Sequence, residues 1–282
     1  MRRERQVDPP LDAATMRRLL LHEARVHASP ARDLRDLGDA ILLHDPIERE
    51  PFWNRVEAVR WPVEPAAFDR RLTEILVLFA ALGRTPHVWA SPLHDTPSDL
   101  VDRLGANGFR DMGAGGFMVL GDREAVDRAA RRPLPPDTIV ERLSGLSGGA
   151  TGAAASAIVD VLVDAFDVDA ARRPAIEGET RMALADPWFT YYLVRADGVP
   201  AAVARRATFD GASYLSSIGT ARWARGRGFG QFLTAQASLD GTIDPDAIAY
   251  LGVFANNLAA IRAYERVGYR AVGSPAPDLL LL

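Results

Sequence analysis

The hexapeptide RGRGFG, residues 225–230, alternates three glycines with two arginines and a phenylalanine directly before a predicted helix. The first amides of a helix have no intrahelical acceptor, and the helix N-terminus carries a partial positive charge. Glycines let an anion approach this backbone because they have no Cβ. Each amide that donates to a charged oxygen contributes roughly 1.5–3 kcal/mol. The loop therefore predicts a binding site for a diphosphate.

Two common phosphate-binding loops do not fit this sequence. A P-loop ends in Gly-Lys-Ser or Gly-Lys-Thr, whereas Gly230 is followed by Gln231. The dinucleotide fingerprint requires G-x-G-x-x-G, and a doubly wound sheet needs more residues than remain after this loop. The alternative to a diphosphate site is an ordinary loop whose arginines bind no ligand.

Two segments resemble the GNAT superfamily of N-acetyltransferases, over roughly residues 150–282. The segment SIGTARWARGRGFGQFLTAQA resembles its motif A, because Arg225, Gly228 and Gly230 satisfy Arg/Gln-x-x-Gly-x-Gly/Ala. One departure is TARW at 220–223, where the family often has an apolar residue and then a proline. The segment VFANNLAAIRAYERVGY resembles a later part of the same family, with its positions filled by Asn257, Ala260, Ile261, Tyr264, Gly268 and Tyr269.

The resemblance implies acetyl-CoA, or a related acyl-CoA, as a co-substrate that donates its acyl group. In the family fold, coenzyme A lies between two parted strands, which here are those near 218–220 and 251–254. A backbone amide near 218–220 would polarise the thioester carbonyl. The absence of cysteine favours direct attack by the amine in a ternary complex. The implied CoA-binding residues are Ile218, Gly219, Thr220, Arg225, Gly226, Arg227, Gly228, Phe229, Gly230 and Asn257.

Tyr264 is the predicted general acid, since a phenol of pKa about 10 can protonate a leaving thiolate whose thiol has a pKa near 8.5. A core tyrosine is the alternative. The sequence does not identify the general base. Glu177, Glu179 and Asp186 lie in a segment that lines the acceptor side in this family, although each is more typical of a solvated helix charge. A water chain and the carboxylate of Leu282 are the other possibilities.

The order of predicted elements indicates an α+β fold. In the second half a helix precedes three antiparallel strands, which are joined by two Asp-Gly turns, and helices and strands then alternate. Gly108-Phe109-Arg110 and Gly268-Tyr269-Arg270 occupy matching places in two segments that share the layout strand, helix, Gly-aromatic-Arg, strand. We therefore predict two tandem GNAT-like folds, each a mixed, mostly antiparallel sheet flanked by helices, although chance similarity of two generic units is the alternative.

We place the domain boundary in the segment 129–152, which is rich in Pro, Arg, Gly and Ser. This predicts a degenerate N-terminal domain at 1–135 and a catalytic domain at 136–282. In the first half, Gly83 should end a long helix and Ser98 should cap a shorter one. That half has no glycine–arginine loop before its long helix, and Leu104 and Pro97 replace Tyr264 and Asn257, so we expect it to be catalytically inactive.

Composition limits the remaining classes of function. The net charge of −4 does not favour nucleic acid as a partner. All five histidines lie in the first half without i,i+4 ligand spacing, so no metal site is expected. The longest apolar run, at 75–82, is too short to span a membrane, and the N-terminus has no secretory signal, so a cytoplasmic location is the default.

Three functions remain compatible with the sequence. The favoured one is transfer of an acetyl group to a small-molecule amine or a protein amino group. A module that binds CoA as a sensor or regulator without turnover is the second, and a transferase of longer acyl groups is the third. The sequence does not identify the acceptor, the oligomeric state or any ligand of the first half.

Overall fold

The computed structural model describes residues 11–28, 31–91, 93–244 and 246–282. Its internal contacts divide the chain into two units. The first unit comprises the described residues of Met1–Ala24, Asp33–Gly116 and Ala271–Leu282. The second unit comprises those of Arg25–Arg32 and Phe117–Arg270.

Helices and strands alternate along much of the described chain. The helices are α1 (Ala13–Ala28), α2 (Pro65–Leu82), α3 (Leu100–Ala106), α4 (Arg123–Ala130), α5 (Gly149–Phe166), α6 (Arg173–Ala185), α7 (Phe229–Gly241) and α8 (Leu258–Val267). The strands are β1 (Asp33–Asp36), β2 (Ile41–His44), β3 (Arg55–Glu57), β4 (His87–Trp89), β5 (Phe109–Asp111), β6 (Gly115–Leu120), β7 (Thr138–Leu143), β8 (Phe189–Ala196), β9 (Val199–Phe209), β10 (Ala212–Thr220), β11 (Ile248–Phe254), β12 (Tyr269–Ala271) and β13 (Asp278–Leu281). Short 3₁₀ turns lie at Pro51–Trp53, Ala170–Arg172 and Arg222–Ala224.

The first unit contains a six-stranded sheet in the order β1-β2-β3-β4-β13-β5. Its neighbours are antiparallel except β3 and β4, which are parallel. The apolar face of α2 repeats at helical spacing and packs into the core of this unit, with Phe68, Leu72, Ile75 and Phe79 buried. Gly83 ends α2 at a φ of 63°, which confirms the predicted stop.

The second unit contains a seven-stranded sheet in the order β12-β6-β11-β10-β9-β8-β7. The strands β7 to β10 form an antiparallel meander, and β10 and β11 pair in parallel. The two Asp-Gly turns of the meander have positive φ at both residues, with 52° and 77° at Asp197 and Gly198 and 47° and 68° at Asp210 and Gly211. These are the backbone angles of type I′ hairpins, as predicted.

The repeat predicted from the sequence recurs in the topology of both sheets. In each copy a helix is followed by a short strand and then a further strand, namely α3, β5 and β6 in one and α8, β12 and β13 in the other. The last strand of each copy joins the sheet of the other copy, because β13 lies between β4 and β5 and β6 lies between β11 and β12. The α+β class and the two tandem, mostly antiparallel folds are therefore as predicted.

The division by contacts differs from the predicted boundary at 135. The segment 129–152, in which we place the boundary, contains the end of α4 and all of β7, and both belong to the second unit. Helix α4 packs against α7 and α8, and β7 pairs along its length with β8. Neither element has a clear apolar pattern, because β7 is an edge strand whose residues are exposed or half-buried and α4 is short and rich in charge.

Two further local features complete the fold. The predicted cap at Ser98 is wrong, because the N-cap position of α3 is Asp99, and no side chain there accepts from the helix amides. Helix α5 has the length and mean hydropathy of a membrane span, by those two criteria alone. Residues such as Ala155, Ile158 and Leu162 on this helix are buried, and it packs against β9, β10 and α6.

Candidate functional site

The strands β10 and β11 part in the middle of the second sheet. Their parallel register runs from Ala212 opposite Ile248 to Leu215 opposite Leu251, whereas β10 continues to Thr220 and β11 to Phe254. A bulge between Ser216 and Gly219 shifts β10 against β9, and Ser217 within it has a φ of 51°. A bulge bends its strand away from the ladder. The backbone edge of β10 beyond Leu215 therefore faces a gap instead of a strand.

The glycine loop connects this edge to α7. Gly226 and Gly228 have φ angles of 79° and 86°, which residues with a Cβ rarely adopt. Gly228 is the N-cap of α7, and no side chain accepts from the first amides of that helix. The backbone N–H groups from Gly226 to Gln231 have no hydrogen-bond acceptor among the described residues. Consecutive free amides at a helix N-terminus are a ready binding site for an anion.

A cavity of about 550 Å³ lies at this loop and contains no acidic side chain among its described lining residues. The loop, the end of β10, the end of α5 and one face of α8 form its walls. Its lining residues are Arg132, Ala165, Phe166, Ile218, Gly219, Thr220, Arg225, Gly226, Gly228, Phe229, Gly230, Gln231, Ala259, Ala260, Ala263 and Arg266. We call this cavity the cleft.

The cleft brings together eight of the ten residues that we predicted to bind coenzyme A. These are Ile218, Gly219, Thr220, Arg225, Gly226, Gly228, Phe229 and Gly230. The fit to a diphosphate rests on the free amides and on Gly228, where an added Cβ would lie only 3.0 Å from Cζ of Arg132. The residues present therefore suit an anionic group close to the backbone, and each binding role remains a prediction.

The two remaining predicted residues do not line the cleft. Arg227 places its guanidinium 5.8 Å from the ring centroid of Trp223 and 5.0 Å from that of Phe229. Asn257 is the N-cap of α8, and its Oδ1 accepts from the amide of Ala260 at 3.1 Å. In this structure both side chains stabilise the local fold.

Arg225 has contacts that orient the loop. Its Nη2 donates to the carbonyl oxygen of Ala165 at 3.0 Å, and its Nε donates to that of Thr220 at 3.4 Å. Two backbone carbonyls on α5 and β10 thus hold this guanidinium beside the glycines. Arg225 therefore holds the loop in place and also supplies positive charge beside it.

Tyr264 lies on the core side of α8, with its ring centroid 6.4 Å from that of Tyr269. Its hydroxyl has no hydrogen-bond partner among the described residues. Burial raises the pKa of this phenol to about 12. The tyrosine does not line the cleft, because α8 contributes Ala259, Ala260, Ala263 and Arg266 to the wall. Its role as a general acid stays a prediction.

The three carboxylates considered as general bases are engaged elsewhere. Glu177 accepts from Arg181 at 2.5 Å, and Glu179 accepts from Arg32 at 2.5 Å. Asp186 accepts from the amide of Trp188 at 2.9 Å, just beyond the end of α6. These contacts favour structural roles, and the structure does not bring these side chains to the cleft. No group of three or more potential metal ligands occurs within the residues that the structure describes.

Sequence reasoning missed several residues of the cleft. Arg132 and Arg266 supply positive charge from the ends of α4 and α8, and Phe166 and the alanines of α8 supply apolar wall. The run AARRP at 129–133 is a usable signal, but its weak apolar pattern favours a domain boundary there. The alanines at 259, 260 and 263 give no chemical signal, since their importance comes from their small size at a wall.

Comparisons with known proteins relate part of the chain to one family. Residues 156–269 match the model of the acetyltransferase (GNAT) family. A search of curated proteins found no significant match.

Several solved structures share the fold over nearly the whole chain, at identities too low to carry function. A GCN5-related N-acetyltransferase from Kribbella flavida aligns with a TM-score of 0.68 and 21% identity, covering 95% of each chain. A tandem GNAT protein from the clavulanic acid biosynthesis pathway aligns with a TM-score of 0.59 and 13% identity, covering 96% of each chain. A GCN5-related N-acetyltransferase from Sphaerobacter thermophilus aligns with a TM-score of 0.58 and 16% identity, covering 92% of this chain and 84% of the other. Through the match to the family model, residues 156–269 of the chain are similar to the GNAT acetyltransferase family.

Proposed function

We propose that the second unit transfers an acetyl group from acetyl-CoA to a primary amine. The observation that carries this proposal is the run of free amides from Gly226 to Gln231, which lies beside the gap between β10 and β11. These amides would hold the diphosphate of the donor. The backbone edge of β10 near Ile218 would then receive the thioester carbonyl and stabilise its developing negative charge.

The reaction that we propose is a direct attack within a ternary complex. The amine nitrogen forms a bond to the acyl carbon, and the carbon–sulfur bond breaks. The nitrogen loses one proton to solvent or to a base, and the thiolate sulfur receives one proton, which we assign to Tyr264. Because burial keeps the pKa of this phenol near 12, it is fully protonated at neutral pH.

The test is to mix the protein with acetyl-CoA and a panel of amines and to measure the free thiol released. The panel should include small amines, amino acids and peptides with free N-termini, because the acceptor is unspecified. Thiol release that depends on the amine supports the transferase. Tight binding of acetyl-CoA without turnover on any amine would contradict it.

A second candidate is a module that binds CoA without turnover. The position of Tyr264 outside the cleft lining and the engaged carboxylates on α6 favour this alternative. We expect Tyr264→Phe to lower turnover by about 10²-fold, the low end of a general-acid effect, with CoA affinity nearly unchanged. Turnover equal to that of the parent would remove Tyr264 from the mechanism.

The matched control for this variant is Tyr269→Phe. The hydroxyl of Tyr269 bonds to Oγ of Ser238 at 2.7 Å in the core, near Tyr264. Losing this hydrogen bond should reduce the free energy of unfolding by about 1 kcal/mol and leave turnover nearly intact. A similar loss of turnover in both variants would indicate that packing, rather than proton donation, explains the effect.

A further inference from the structure

A second cavity, of about 420 Å³, adjoins the cleft. The two share three lining residues, namely Arg132, Gln231 and Arg266. The remaining lining residues come from α4 and the chain just after it. They are Ala125, Arg128, Ala129, Arg131 and Pro133. We call this second space the arginine cavity.

Four arginines line the arginine cavity, and its described lining residues include no carboxylate. Arg128 reaches Glu124 and Asp122 only at 3.6 and 3.9 Å, and its side chain is 67% exposed. Within the described part of the chain, Arg131 and Arg266 have no ion pair. The nearest partner of Arg132 is the amide oxygen of Gln231, at 3.5 Å. The positive charge here is therefore largely uncompensated by the protein itself.

Helix dipoles explain part of this arrangement. Arg128 lies in the last turn of α4, Arg131 is its C-cap residue, and Arg266 lies in the last turn of α8. A cation at a helix C-terminus is favourable by itself. That effect does not explain why four like charges meet around one cavity, since they repel each other in the absence of an anion.

A ligand in the cleft could supply the anion that offsets these charges, because the two cavities adjoin each other. The guanidinium of Arg132 lies against Gly228, the N-cap of the helix whose amides line the cleft. A ligand held at those amides can therefore extend past Arg132 into the arginine cavity. The residues from Ala125 to Pro133 precede the segment 156–269 that matches the family model.

We propose that the arginine cavity binds a phosphate monoester at the end of the acyl donor remote from the thioester, which in coenzyme A is the 3′-phosphate of the ribose. This inference rests on the proposed function, because it assumes that the donor's diphosphate lies on the loop. It names Arg128 and Arg131 as residues that select a donor with that phosphate. They contact the arginine cavity and not the cleft.

The experiment compares coenzyme A with dephospho-coenzyme A, which lacks only the 3′-phosphate, by calorimetry on the full chain. Because the contacts with the phosphate are charge-assisted but these side chains are exposed, we expect about a 10-fold preference for coenzyme A. The preference should decrease as salt is added, because salt screens exposed charges. In Arg128→Ala/Arg131→Ala, coenzyme A should bind about as weakly as dephospho-coenzyme A, whose own affinity stays unchanged.

The control is Arg181→Ala/Arg262→Ala, which removes the same charge from exposed positions outside both cavities. It should keep the preference. Equal affinity of the wild type for both ligands would overturn this inference and leave the proposed function intact, because both would still bind. A preference that persists in Arg128→Ala/Arg131→Ala would also overturn it. Failure of both ligands to bind the wild type would contradict the proposed function itself.

Discussion

Helix α2 of the first unit and helix α7 of the second occupy corresponding places in their folds. Each follows a strand that pairs in parallel with its neighbour, β3 with β4 and β10 with β11. Ala58, just after β3, and Ser217, within β10, are non-glycine residues with φ angles of 55° and 51°. The similarity of the backbone indicates that both halves share one local design.

The helix N-termini differ in how their amides are satisfied. Both side-chain oxygens of Glu64 accept from α2, at 3.0 Å from the amide of Ala66 and 2.7 Å from that of Ala67. The corresponding position before α7 is Gly228, which has no side chain to do so. A carboxylate at the helix N-terminus stabilises the helix and also excludes a phosphate, because it takes the amides and adds negative charge.

The two units also differ in the hydrogen bonds of the chain that follows the residue with positive φ. In the first unit the amide of Thr96 donates to the carbonyl of Val59, and the amide of Trp61 donates to that of Thr96, each at 3.0 Å. Asp95 in addition accepts from the amide of Val59 at 3.0 Å. These bonds join the chain segments of the first unit at the place that corresponds to the gap between β10 and β11 in the second unit. The two units thus share a fold, but only the second, whose helix N-terminal amides remain free, offers a candidate binding site.

The largest effect is expected for Gly228→Leu, which should make the second unit resemble the first. A side chain in the loop blocks several amides, and we expect CoA affinity to fall about 10³-fold or more by calorimetry. Gly198→Ala is the matched control, because Gly198 also has positive φ, at 77°, but lies in a hairpin turn with open space around it. The control should bind normally, and unaltered affinity in Gly228→Leu would rule out the loop as the binding site.

A smaller effect is expected for Asp95→Ala, which reopens the closed strands of the first unit. Because the variant leaves the amides of Val59 and Ser91 without their acceptor, the free energy of unfolding should fall by about 2–3 kcal/mol in urea titrations at pH 7. Asp99→Ala, which removes an exposed ion pair with Arg103, should change it by less than about 0.5 kcal/mol. Equal effects of the two would show that Asp95 does not close the strands.

The loss in Asp95→Ala should also depend on pH. Burial raises the pKa of Asp95 to about 7, so the folded protein holds this proton more tightly than the unfolded chain. The contribution to stability is complete below the unfolded pKa of about 4 and decreases as the pH rises to 7. The difference between parent and variant should therefore be larger at pH 5 than at pH 8, and the opposite trend would contradict the raised pKa.

A smaller effect still is expected for Glu64→Ala, which removes the carboxylate cap of α2. We expect a loss of about 1 kcal/mol in the free energy of unfolding. Made together with Gly228→Leu, the variant should not bind CoA, because the strands of the first unit remain closed. Binding in that double variant would show that the cap alone keeps the first unit from binding.

The smallest effect is expected of Tyr264 on the alkaline side of the turnover profile, where it should cause no decline between pH 7 and 10. The rate should rise as the acceptor amine, of ordinary pKa about 10, loses its proton. It should not fall again within this range, because the pKa of Tyr264 lies near 12 and the phenol keeps the proton that it donates. A decline near pH 8–9 that disappears in Tyr264→Phe would contradict the raised pKa.

Features that depend on local chemistry can be predicted from the residue types alone. The Asp-Gly pairs at 197–198 and 210–211 specify their hairpins because few residues tolerate two consecutive positive φ angles. The glycines at 226 and 228 indicated an exposed helix N-terminus for the same reason, and the matched Gly-aromatic-Arg segments indicated the tandem repeat.

Which distant residues share a surface depends instead on how the chain folds in three dimensions. Arg132 is 94 positions from Gly226 and Arg266 a further 40, and nothing in their local sequence shows that both reach the cleft. The exchange of β6 and β13 between the two sheets depends on hydrogen bonds between strands far apart in the chain. The packing of α8, and not its residue types, turns Tyr264 toward the core and places small alanines on the wall of the cleft.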